Sequence, residues 1–156
     1  MIKKIVFVST LSAALALTIF TLWYRYGLSA GFYCSGNVNF YRESGMMRLS
    51  TKIFVEGDSG KISMNGYIDK ENGQRENVSR TIAFKNYHTG ARYAWVSDEI
   101  LPSIDENISP DMLKQWFPEF YREKNNKVEF FINRINANSI MLSGEFVPYY
   151  VCTQRH

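Results

Sequence analysis

The stretch Met47–Ile68, MRLSTKIFVEGDSGKISMNGYI, decides how this chain folds. Met47, Leu49, Thr51, Ile53 and Val55 fall on one face of an extended segment, with Arg48, Ser50, Lys52 and Glu56 on the other and Phe54 the one apolar residue among them. Gly57-Asp58-Ser59-Gly60 is a cluster of turn formers. Beyond it, Ile62, Met64 and Ile68 alternate with Lys61, Ser63, Asn65 and Asp69. Side chains along a strand point alternately to its two faces, so period two over this length predicts half-buried antiparallel strands.

The same signal extends outward. Asn72-Gly73 offers the positive φ angles of a tight hairpin. A strand over residues 76–87 follows, with Val78, Ile82 and Phe84 on one side. Arg80 shares that register, and two readings stay open: it faces an anionic ligand, or a bulge turns it outward. His88-Thr89-Gly90 reads as a turn, residues 93–96 as a strand and residues 98–108 as a loop. Ser109-Pro110-Asp111 is a helix start, because the Ser hydroxyl can accept an orphan backbone N–H and Pro has none to lose. Met112, Leu113, Trp116 and Phe117 form its apolar stripe, and Pro118 stops it.

Two strands close the chain, residues 128–135 and 139–151, across an Asn136-Ala137-Asn138 turn. The last is apolar on both faces, with Ile140, Leu142 and Phe146 on one and Met141, Val147, Tyr149 and Val151 on the other. That pattern suits an edge offered to a partner strand, and equally a central strand buried on both sides. Pro148 lacks a ladder donor and belongs at an edge or bulge. With an opening strand over residues 32–41, the expectation is a mainly β domain of about seven strands and one short helix, built as a curved antiparallel sheet or incomplete barrel.

The N-terminus reads differently. From Ile5 to Tyr24 there is no ionisable carboxylate or amine, and Lys3 and Lys4 stand just before. A membrane core needs roughly 20 apolar residues as helix, which this run supplies. It ends in Trp23-Tyr24-Arg25-Tyr26, with aromatics where a membrane–water interface would place them. The expected organisation is a cytoplasmic stub and transmembrane anchor over residues 1–27, and an exported domain over residues 28–156. The lysines keep the N-terminus cytoplasmic, which puts residues after about Leu28 outside the membrane. Ser29-Ala30-Gly31 is the competing reading, a small-x-small site for signal cleavage. A lipoprotein is excluded, because Cys34 follows the bulky Phe32-Tyr33.

Both cysteines, Cys34 and Cys152, fall in the exported part, one near each end. In an oxidising compartment they read as one disulfide joining the first and last strands; two buried free thiols are the alternative. Setting Lys3 and Lys4 aside from 18 basic residues leaves 16 against 15 acidic, a net of +1, with the charges interspersed. That excludes the basic stripe of a nucleic-acid binder. His88 and His156 are the only histidines, and no metal-ligand spacing or phosphate-cradling glycine loop occurs. The serines lack a nucleophile-elbow context, and the acidic pairs Asp98-Glu99 and Asp105-Glu106 read as solvated loop residues. No enzyme activity, metal or cofactor is therefore expected. Aromatics at 15% suit a sheet core, and also an aromatic-lined cavity or an open edge for a partner.

Across nearly its full length the chain resembles the FidL-like family of enterobacterial membrane proteins. The resemblance lies in KKIVFVSTLSAALALTIF as anchor, FYCSGNVNF opening the exported domain, SPDMLKQWFP as helix and FFINRINANSIMLSGEFVPYYVC at the end, with Cys34 and Cys152 as the terminal cysteines. It implies a ToxS-like accessory protein, with no cofactor, that joins the periplasmic domain of a membrane-bound winged-helix regulator of the ToxR type. Some such pairs complete a lipocalin-like barrel between two chains and take bile salts, which would make a bile-salt-like amphipath the candidate ligand. The resemblance fixes no ligand residues; by register Arg80 is the candidate ligand contact, and by its two apolar faces the closing strand, with Ile140, Leu142, Phe146 and Tyr149, the candidate partner strand. A different class remains open, a periplasmic carrier or assembly factor that binds a small amphipathic molecule or an adhesin segment.

Overall fold

The computed structural model describes residue 12 and residues 14–21, 31–145 and 148–154. The chain divides into two units, residues 1–30 and 31–156. In the first, residues 14–21 are helical. Most of the expected anchor, Ile5 to Tyr24, lies outside the described residues, and among those described no helix is long and apolar enough to cross a membrane.

The second unit is a closed antiparallel barrel of eight strands in sequence order, β1 Phe32–Arg42, β2 Gly45–Glu56, β3 Ser59–Lys70, β4 Arg75–Thr89, β5 Arg92–Pro102, β6 Lys127–Asn136, β7 Ser139–Ser143 and β8 Pro148–Gln154. The expectation of an incomplete barrel with about seven strands is corrected. Residues 139–151 form two strands rather than one, reversing between Ser143 and Pro148, and the second returns to β1 through Cys34↔Gln154 and Ser35↔Thr153. A barrel has no continuous free edge, which removes the usual liability of unpaired strand groups.

The alternation that predicts β2 and β3 holds residue by residue: Met47, Leu49, Thr51, Ile53, Val55, Ile62, Met64 and Ile68 are all buried. On β4 the inward series is Val78, Arg80, Ile82, Phe84 and Asn86. A register shift does occur on β4, but between Ala83 and Phe84, and it leaves Arg80 pointing inward. β4 runs on through Thr89, so His88 lies in a strand opposite Tyr93 and is exposed. β5 likewise continues to Pro102, because residues 99–102 go on pairing with β4 where a loop was expected. In the hairpin between β3 and β4, Gly73 N–H donates to Lys70 O and Gly73 alone carries the positive φ, 79°.

Between β5 and β6 the chain covers one end of the barrel with an α-helix, Pro110–Trp116, and a 3-10 turn, Glu119–Tyr121. Pro110 opens the helix as expected, but Ser109 makes no side-chain cap. Its N–H and hydroxyl instead donate to the Glu76 carboxylate on β4, at 3.0 Å and 3.2 Å. A second anchor lies deeper. Arg80, 6% exposed, donates through Nε and Nη2 to both oxygens of Glu106, and through Nη1 to the Tyr121 carbonyl at 3.1 Å. Glu106 also accepts from Ser79 N–H at 3.0 Å, so this residue is no solvated loop acid. A buried guanidinium is tolerable only with its donors satisfied in this way.

Candidate functional site

Aliphatic side chains fill one part of the interior, around Ile53, Ile62, Ile68, Val78 and Ile82. Aromatics take over towards β5, β6 and the cap. Phe84 stacks on Trp95 with centroids 4.2 Å apart, Trp95 meets Phe130 edge-on at 4.4 Å, and Phe120 approaches Phe84 at 6.3 Å. A cavity of about 770 Å³ remains between the two groups and the cap. Its size is that of small-molecule sites, roughly 300–1,000 Å³.

The cavity walls include Leu49, Ile62 and Met64 on one side and Trp95, Phe130 and Leu142 on the other, with Trp116, Phe117 and Tyr121 from the cap. Polar groups are few. Tyr150 from β8 donates its hydroxyl to the Thr51 carbonyl at 3.2 Å. Burial pushes the phenol of Tyr121 up to about 12, and burial with the neighbouring Tyr121 does the same to Tyr150. Both are neutral donors at any physiological pH. Trp116 is 4% exposed and its Nε1 has no acceptor among the described residues. Arg42, at the end of β1, extends over the Trp116 ring with its guanidinium carbon 5.3 Å from the centroid, and donates through Nη1 to Gln115 O at 2.6 Å. Lys127 and Glu119 also border the cavity, Lys127 held by Glu129 at 2.7 Å.

The seam between β1 and β8 lies beside this cavity. A disulfide joins Cys34 and Cys152, with Cα atoms 5.5 Å apart, immediately next to the two residue pairs that close the barrel. From Asn37 to Arg42, β1 pairs with β2 alone among the described residues. Gly36 is required there, because a Cβ would sit 2.7 Å from the Tyr150 hydroxyl and 2.8 Å from the Val151 carbonyl.

The expected site residues fare differently. Ile140 and Leu142 are buried, and β7 has paired neighbours on both sides, so it offers no free edge. Tyr149 lines the cavity and is 53% exposed, and Val151 is 51% exposed, so neither is covered by the described residues. Phe146 lies outside the described residues. Arg80 is buried but committed to Glu106 and Tyr121, and it does not line the cavity. Arg42, Trp116, Tyr121 and Tyr150 were not singled out as site residues from the sequence. Alternation alone marks no inward aromatic as lining empty space rather than packed core.

Closed antiparallel barrel, aromatic-lined interior and helical cap together define a small capped β-barrel domain. The chain belongs to the family of the YqeJ C-terminal domain, whose sequence pattern matches residues 32–152. The match spans both cysteines and stops short of the N-terminal segment. No curated protein matches the chain.

Proposed function

We propose that this chain is a non-enzymatic accessory protein of the bacterial inner membrane. Its N-terminal segment anchors it, its barrel lies in the periplasm, and there it binds and tunes a membrane-bound ToxR-type transcription regulator under control of a small amphipathic ligand. The cavity carries the reading: an apolar, ring-lined space with a few hydrogen-bond donors is suited to a molecule with a flat or flexible apolar body and a modest polar group, such as a bile salt. The FidL-like resemblance supplies the regulator as partner. The exposed apolar residues beside the seam, Tyr41 and Val151 outside the cavity and Phe40 and Tyr149 lining it, are the surface that suits it. Ligand binding in the barrel would favour the complex only through a difference in affinity between free and assembled states.

Closure of the barrel within one chain favours a second reading, a periplasmic carrier that needs no partner to hold its ligand. Cross-linking in native membranes, followed by purification of the tagged full chain and mass spectrometry, separates the two. The accessory reading expects a single-pass winged-helix regulator among the cross-linked chains. Its absence at native expression levels, with ligand still bound, would leave the carrier.

A further inference from the structure

We infer that the cavity opens sideways, through a mouth between β1 and β8 beneath the cap, and that the Tyr149 ring is the movable door of that mouth. This rests on the cavity being a ligand site, and adds the route by which a ligand reaches it and the residue that regulates its passage.

Both ends of the barrel are tied shut. Away from the cap, the buried Asn86 donates through Nδ2 to Gly57 O and through its backbone N–H to Asp58 O, each at 2.8 Å. Its Oδ1 accepts from Trp95 Nε1 at 3.1 Å, which links the β2–β3 hairpin to the stacked rings. At the other end the cap is held from two sides. Arg80–Glu106 and Glu76–Ser109 fix it to β4, while Arg42 donates to Gln115 O at 2.6 Å and Gln115 Nε2 donates to Ser44 Oγ at 3.0 Å.

The side of the barrel is less complete. Residues directly opposite in an antiparallel pair share a face, so Val38 and Phe40 point inward with their partners Leu49 and Met47. Leu49 and Met47 are buried, yet Phe40 lines the cavity and is 48% exposed. It lies above the point where pairing of β1 with β8 stops, at Ser35↔Thr153. From β8, Tyr149 also lines the cavity and is 53% exposed, and the exposed Pro118 and Glu119 of the cap line it too. Side chains that meet both the cavity and solvent mark where the two connect. The Cys34–Cys152 disulfide and the bond from Tyr150 to Thr51 O give this opening a fixed foot.

Tyr149 is placed to move. Its phenol oxygen rests against Gly144, where an added Cβ would stand 2.5 Å away. Seated there the ring narrows the mouth, and swung off its seat it clears it. Exposed side chains change rotamer freely, so the seat sets the fraction of time the way is open. Such a door moves association and dissociation by the same factor and leaves the affinity unchanged.

The test uses the full chain in lipid nanodiscs with Trp23→Phe, which leaves Trp95 and Trp116, both lining the cavity, as the tryptophans. The probe is 11-bromoundecanoate below its micelle concentration, whose bromine quenches an indole at contact, with both rates read by stopped-flow fluorescence. Tyr149→Ala, and Gly144→Ala, which pushes the phenol off its seat, are each expected to raise both rates by about threefold or more and to leave the dissociation constant within about twofold. Ser44→Ala, which frees one tie of the cap, is expected to change neither rate. Faster exchange in Ser44→Ala with none in Tyr149→Ala would put the route under the cap and overturn the mouth. Faster dissociation alone in Tyr149→Ala, with Gly144→Ala unchanged, would make Tyr149 a ligand contact and overturn the door. Unchanged rates in all three variants would overturn both. If the probe quenches no tryptophan in any of the proteins, the cavity reading itself falls.

Discussion

From β1 to β4, neighbouring strands share eleven or twelve residue pairs at each step, whereas β5 and β6 share five and β8 and β1 only two. The first wall is held by continuous backbone ladders over an aliphatic core. The second is held by other means: a disulfide at the seam, stacked rings, and a cap tied to β4 through Arg80–Glu106 and Glu76–Ser109. The empty space lies between the two walls beneath the cap, lined by β1–β3 on one side and β5–β8 on the other. Backbone ladders define shape but leave little latitude. A wall made of side-chain links can leave room for a ligand and still be closed.

If that division is right, the largest loss of stability follows from cutting the staple. Replacing Cys34 and Cys152 together by Ala releases a loop spanning 118 residues, and the chain-entropy model assigns roughly 4–5 kcal/mol to such a closure. Urea denaturation of the oxidised chain and the double variant measures it, and a loss under 1 kcal/mol would mean the two-pair seam holds unaided. The cap is next. Arg80→Met leaves the Glu106 carboxylate buried without its cation and is expected to cost about 3–5 kcal/mol, with most of it regained in Arg80→Met/Glu106→Gln. Absence of that recovery in a double-mutant cycle would show that the pair does not act as a unit.

Smaller effects probe the seam's close packing. Gly36→Ala pushes a methyl group against the Tyr150 hydroxyl and is expected to cost about 1–3 kcal/mol, less than the disulfide. A wild-type melting temperature in that variant would contradict the close approach of β8 to β1. Gentler still are the proton-linked effects. Burial alone would raise the Glu76 carboxyl, but Lys70 and the Ser109 N–H and hydroxyl outweigh it and hold the value below the ordinary 4.5. Its contribution is therefore present above that pH and lost as pH falls below it, and Glu76→Gln should flatten this part of the acid limb. Tyr121 and Tyr150 act in the opposite direction. An unfolded phenol ionises near 10.0 and the folded pair near 12, so stability should fall as pH rises through that window. Phenolate absorbance checks the order of ionisation, and an alkaline slope unchanged by Tyr121→Phe would count against it.

The same division explains what the sequence discloses. β2 and β3 are readable to the residue because one face is wet and one dry, and an extended chain then alternates without exception at the buried positions. Cys34 and Cys152 were paired by compartment and position alone, and the structure places them at bonding distance. Residues 139–151 misled because Tyr149 and Val151 are apolar on an exposed face, which made two strands look like one two-faced strand. Arg80 and Glu106 lie 26 residues apart, and no local pattern marks that a loop acid will answer a cation in a strand. The cavity is the least legible feature, since a ring facing a space and a ring facing another ring occupy the same position in the alternation.

The ring-lined space in the barrel of a single chain is expected to hold one amphipathic molecule. Native mass spectrometry of the full chain, released from nanodiscs with and without deoxycholate, tests it most directly when run beside Leu49→Trp, which fills the cavity from β2. One equivalent of deoxycholate is expected to stay with the wild type and none with the filled variant, with both folded. Equal retention by the two proteins, or none by either, would contradict it.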